Sequence, residues 1–188
     1  MLTGSLISIV DVQVGDETTR VVASHLADLR LLPPELGSWL VGHGLLKIHI
    51  GDRPLADLDA IRGADPGSFR NLTDAGGYHP DLKCVYLGNG GSPSASVALH
   101  EIGHAVGWLS GAHSKSGFIL DYIDQEENLP AYYRESWNGR HDVERGARET
   151  FAEVFAMLLT GRKQKAENVF GLAICAYVER FSSGVALE

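Results

Sequence analysis

His100, Glu101 and His104 stand in an H-E-x-x-H spacing inside Val97-Ala98-Leu99-His100-Glu101-Ile102-Gly103-His104-Ala105-Val106. On a helix, residues four apart share a face, one turn from each other, so the two imidazoles point the same way. Neutral imidazoles so placed can supply two of the four positions of a tetrahedral Zn²⁺ at roughly 2.0–2.1 Å each. Glu101 lies about 100° round from His100, off the metal-facing stripe but within reach of a water on the ion. A carboxylate there can take a proton from that water as it attacks a carbonyl, then hand it to the leaving amine. The alternative is a buried amphipathic helix with two satisfied histidines, which leaves Glu101 without a task on a largely apolar helix.

The elements that must position these groups are readable around them. Leu99, Ile102, Ala105 and Val106 give the first helix an apolar side, and Ser92-Pro93 reads as its start, with Ser as N-cap and Pro at the first helical position. Gly103 and Gly107 each cost roughly 1 kcal/mol against Ala in a helix, which makes sense if another backbone packs close. A second helix is expected over Ala147 to Thr160, with Phe151, Val154, Phe155, Leu158 and Leu159 apolar and Gly161 as its stop. On it Glu149 and Glu153 are four apart and share a face. Two acids on an otherwise apolar helix are costly unless something positive meets them, and a Zn²⁺ carrying two imidazoles would do so. One glutamate can bind the metal while the other accepts the N–H of a ligating histidine. Spacing alone leaves open which does which. A third histidine in the metzincin pattern is absent, since that position holds Ser110, and Met157 lies inside a helix rather than in a Met-turn.

Along the rest of the chain, Ser5 to Val14, Leu45 to Ile50 and Lys83 to Leu87 read as strands, and Val21 to Leu32 as a helix stopped by Pro33-Pro34. Glu35 to Val41 reads as a short helical turn. Gly51 to Asp81 is mostly loop, with a short helix at Leu55 to Ile61. The strand Lys83–Leu87 is either a plain core strand or one that pairs with an extended substrate. Ala112 to Arg145 is a long polar connection without strong periodicity, of the kind that is usually functional or mobile. Glu167 to Phe181 reads as one further helix.

The 188 residues are 44% hydrophobic and 21% charged, enough for one domain with a proper core. A net charge of −8 with no basic run argues against nucleic acid and anionic membrane surfaces as partners. No apolar run approaches the roughly 20 residues that span a bilayer, and the start lacks a signal-peptide pattern. Cys84 and Cys175, in apolar patterns far apart, read as two buried free thiols, with a disulfide between them as the second reading.

The two motifs together, His100-Glu101-Ile102-Gly103-His104-Ala105-Val106 and Glu149-Thr150-Phe151-Ala152-Glu153-Val154-Phe155, resemble the catalytic domain of the anthrax lethal factor-like zinc peptidases, a fold that the Pro-Pro endopeptidases share. The resemblance runs from about Gly76 to Leu159 and takes in the strand region Gly76 to Leu87 and the wide gap between His104 and Glu149. It implies an α+β, zincin-like metalloprotease fold, with a small sheet packed on helices and a cleft between them. In that family the first glutamate of E-x-F-A-E binds zinc, which implies Glu149 as the ligand and Glu153 as the supporting acid. The family's tyrosine shortly before that glutamate, the oxyanion donor, has no counterpart here. Counting back reaches His141-Asp142, so the donor is His141, or Tyr132, Tyr133 or Trp137 from the long connection. The expectation is a single catalytic domain over 1–188, with an α/β part to about 91 and a helical metal-site part from about 92. It is a zinc metalloendopeptidase with one Zn²⁺ on His100, His104 and Glu149, and Glu101 as general base. A peptide or protein is the substrate, and the resemblance favours a secreted protein. The alternative is a non-catalytic zinc-containing interaction module.

Overall fold

A computed structural model describes residues 4–13, 19–62, 75–134, 136–137 and 140–184. The fold is α+β, as expected, with a small four-stranded mixed sheet. After a helical turn, α1 (Gly4–Ile7), the chain enters β1 (Val10–Gln13) and crosses through α2 (Arg20–Leu29) and α3 (Pro34–Gly42) to β2 (Lys47–Gly51), parallel to β1. A 3-10 turn (Leu55–Asp57) and α4 (Asp59–Arg62) follow. The hairpin of β3 (Gly76–His79) and β4 (Cys84–Leu87) then completes the order β1-β2-β4-β3, with β4 parallel to β2 and β3 antiparallel at the edge.

Alternation along the strands sorts the two faces. Ile48, Ile50, Val85 and Leu87 turn to the helical side and are fully buried, while Asp11, His49 and Tyr86 are cross-strand neighbours on the other. There Cys84 and Tyr86 pack with Leu55, Leu58 and Ile61 in a smaller apolar cluster. Of the two readings of the Lys83–Leu87 strand, the structure bears out the core strand. β2 and β3 occupy both its edges, and the sheet edge beside the H-E-x-x-H helix belongs to β3.

The helical layer holds α5 (Val97–Ser110), α6 (Ser116–Gln125), α7 (Val143–Leu159), α8 (Lys163–Phe170) and α9 (Leu172–Ser182), with a two-residue hairpin, β5 (Ser136–Trp137) and β6 (Arg140–His141), ahead of α7. Four expectations need correction. Of the expected strand Ser5–Val14, residues Ser5 to Ile7 lie in the helical turn α1, and the strand that forms is Val10–Gln13. α5 starts at Val97 behind Ser96, not at Ser92-Pro93, because the Ala95 N–H is committed to the Glu153 carboxylate and Ser96 makes the cap. The 112–145 connection is not featureless. It carries α6, whose burial rests on Phe118 and Tyr122 alone, too few anchors to show as a period. The expected helix Glu167–Phe181 is two helices, broken at Gly171, whose φ of 86° ends α8. Cys84 and Cys175 are free and buried, as expected. One continuous apolar core runs from Leu6 through the sheet to Phe181 and joins the strands to the helices that carry the site.

Candidate metal centre

α5 is held at both ends. Ser96 Oγ accepts from the Leu99 N–H at 3.2 Å and donates to Asp28 Oδ2 of α2 at 2.7 Å, so the start of the helix is tied to its neighbour. Gly111, left-handed at φ 67°, closes the other end. α7 begins at Asp142, whose Oδ1 accepts from the Arg145 N–H at 3.0 Å. The two helices meet at Gly103, where an added Cβ would lie 2.8 Å from Ala152 Cα and 3.0 Å from its carbonyl oxygen. The expected close backbone is therefore α7. Gly107 is met differently, by the His113 ring, whose Nδ1 would lie 2.7 Å from a Cβ.

This contact brings four side chains together. His100 Nε2 and His104 Nε2 are 3.1 Å apart. Glu149 Oε2 lies 3.3 Å from His100 Nε2, and Glu149 Oε1 lies 3.6 Å from His104 Nε2. Ligands of a tetrahedral ion at roughly 2.0–2.1 Å sit about 3.3 Å from one another, so the three atoms are spaced as such a donor set requires. Two imidazoles and a carboxylate suit Zn²⁺ and neighbouring divalent ions. On these contacts His100, His104 and Glu149 could hold a metal ion. His100 is buried and the other two are half-buried, so the group opens to one side.

Glu153 divides the labour with Glu149 in the expected way. It is buried, its Oε2 accepts from His100 Nδ1 at 3.1 Å, and its Oε1 accepts from the Ala95 N–H at 2.9 Å. A carboxylate on Nδ1 fixes the ring and directs the Nε2 lone pair outward. Charge balance follows from the same contacts. Burial alone would push the His100 pKa down, but Glu149 and Glu153, with Glu101 beyond them, push it up to about 10. Burial would raise both carboxyls. The charge of His104 and its hydrogen bond, with those of His100, hold Glu149 well below the usual carboxylate range, and His100 lowers Glu153.

Glu101 is buried beside this group and outside the three-residue donor set. Edge strand β3 lies flat on it: a Cβ at Gly76 would come 2.8 Å from Glu101 Cγ and 2.6 Å from Val97 Cγ1. His141 falls in β6, its backbone paired with Ser136, and its side chain lies outside the described residues, as does that of Trp137. Of the named alternatives, Tyr132 reaches the site: its phenol donates to Glu149 Oε2 at 3.2 Å. Tyr133 packs its ring on Phe170, and burial first, then the charges of Glu153 and Glu149, push its phenol pKa up. His113 sits under Trp108, and burial first, then the charges of Arg148 and His104, push its pKa down to about 4.

Sequence reasoning passed over Asp28, which holds the α5 cap, and the pair Trp108 and Arg148 beside the metal group. For Trp108 the signal was present, since it lies one turn beyond His104 on the same stripe. For Asp28 no signal existed, because its partner is 68 residues away.

Compared with models of known protein families, the chain matches none, and no curated protein matches it.

Proposed function

We propose that the protein is a zinc-dependent endopeptidase with a zincin-like fold of the lethal factor-like kind. The observation that carries this is the joint placement of two carboxylates and two imidazoles. Glu153 holds His100 from behind, His100, His104 and Glu149 converge in front, and Glu101 stands beside them, buried and outside the donor set. A structural metal site has no use for that last carboxylate, whereas hydrolysis does.

Zn²⁺ bound there supplies Lewis acidity toward a water and the substrate carbonyl. The chain supplies the rest. Glu101 takes the proton of the attacking water and delivers it to the leaving nitrogen. Its burial under β3 keeps it close to the reaction and dry. Tyr132, on the open side at Glu149, is placed to donate its phenol O–H to the carbonyl oxygen as negative charge grows there; one such donor is worth roughly 10²–10³ in rate. β3, the edge strand nearest Glu101, offers backbone groups to an extended peptide, which gives grip with little demand on side chains.

The test is cleavage of a mixed peptide pool by the purified protein, by the same protein stripped with a chelator, and after Zn²⁺ is restored. Hydrolysis lost on stripping and regained with zinc supports the reading. A zinc-loaded protein that leaves every peptide whole would overturn it in favour of a non-catalytic zinc module.

A further inference from the structure

Trp108 lies one helical turn past His104 on α5 and is 43% exposed. Arg148, the residue before Glu149 on α7, places its guanidinium 5.6 Å from the centre of the Trp108 ring. His113 braces the same indole edge-on at 5.2 Å. Glu144 sits one turn before Arg148, the spacing at which a surface arginine ordinarily pairs with an acid. Among the described residues no carboxylate nevertheless forms an ion pair with Arg148. The chain has 24 acidic and 16 basic residues, so a cation with no acidic partner among the described residues stands out beside the His100, His104 and Glu149 group.

We infer that Arg148, seated on Trp108 beside the His100, His104 and Glu149 group, is a specificity residue that reads a carboxylate of the substrate. The inference rests on the peptidase reading above. A guanidinium lying on an aromatic face loses little by it and keeps its N–H edge free for a planar, two-oxygen partner. That edge is what binds a carboxylate with two parallel hydrogen bonds. One helical turn is about 5.4 Å, and an extended peptide advances roughly 3.3–3.6 Å per residue. The carboxylate read there therefore belongs to a residue one or two positions from the bond that breaks. It is either an Asp or Glu side chain or the free C-terminus of the substrate.

The test uses peptide twins that differ only in Glu against Gln, at each of the two positions on either side of the bond, and in a free against an amidated C-terminus. Two quantities are read. The first is the kcat/KM ratio of each acidic peptide to its neutral twin in wild type, Arg148→Gln and Arg148→Glu. The second is the affinity ratio of the same twins for Glu101→Gln by calorimetry, without turnover. Wild type should favour the acidic twin by about tenfold or more at one position. Arg148→Gln should bring that ratio close to one, and Arg148→Glu should invert it toward Lys-bearing peptides. Preference for internal Glu assigns the carboxylate to a side chain; preference for the free C-terminus alone assigns it to the chain end and turns the endopeptidase reading into a carboxypeptidase one. Wild type that cleaves both twins equally, or a preference that survives Arg148→Gln, overturns the inference and leaves the peptidase standing. No cleavage by wild type, with Glu101→Gln still binding the acidic twin more tightly, sinks the peptidase and keeps the carboxylate site. No cleavage and no preference removes both.

Discussion

At the scale of single residues, the site turns on one carboxylate with two oxygens in use. Glu153 holds both His100 Nδ1 and the Ala95 N–H, so Glu153→Ala loosens a ligand without removing one. Loss of such a support costs about 10–100-fold in metal affinity. Glu149→Ala removes a donor outright and should cost more than that. Zinc titration against a chromophoric competitor measures both, and equal losses would contradict the assignment. His100 carries a second prediction. With its pKa at about 10 in the metal-free chain, its ring stays protonated through neutral pH, and a metal at Nε2 must expel that proton. Calorimetry in buffers of different ionisation enthalpy, between about pH 7 and pH 9, should report about one proton released per zinc and an apparent affinity that climbs with pH. Binding with no proton released would mean that the ring is neutral before the metal arrives. His100, Glu101 and His104 were legible in the sequence because helix geometry alone fixes their relations. Glu149 and Glu153 were legible as a pair for the same reason. Tyr132 was legible only as one of four candidate donors, and the seat of Arg148 on Trp108 was not legible, since each depends on how a separate segment docks.

At the scale of elements, the α5–α7 contact carries the site, and a glycine allows it. Gly103→Ala gains roughly 1 kcal/mol of helix propensity, but its Cβ would meet the Ala152 backbone at 2.8 Å, and backbone cannot swing away. Overpacking of this kind costs typically 1–3 kcal/mol, so the variant should be less stable in urea. Gly117→Ala in α6, with nothing within 4 Å of its Cβ, should be neutral or stabilising by up to about 1 kcal/mol. Equal effects at the two positions would deny the close approach. The strongly patterned elements, α5 and α7, could be read from periodicity. β3 could not be read from the residues alone, because Gly76-Gly77 gives no strand signal and the strand exists through its pairing with β4. The break at Gly171 was missed because the apolar spacing carries on across it, and only the positive φ reveals the stop.

At the scale of the whole molecule, the sheet and the helices share one core, and the metal group lies where β3 meets the α5–α7 pair. The smaller cluster on the far side of the sheet, around Tyr86 and Leu58, buries the opposite face of β4. The strands are thus fixed from both sides, while β3 keeps one edge without a strand partner among the described residues. No described helix is long and apolar enough to cross a membrane. In the proposed function Glu101 acts on a water beside a metal held by His100, His104 and Glu149. Metal content and peptide cleavage, measured side by side on wild type and Glu101→Gln, test it most directly. One zinc per chain is expected in both proteins, with hydrolysis in wild type only. Full hydrolysis by Glu101→Gln would contradict it.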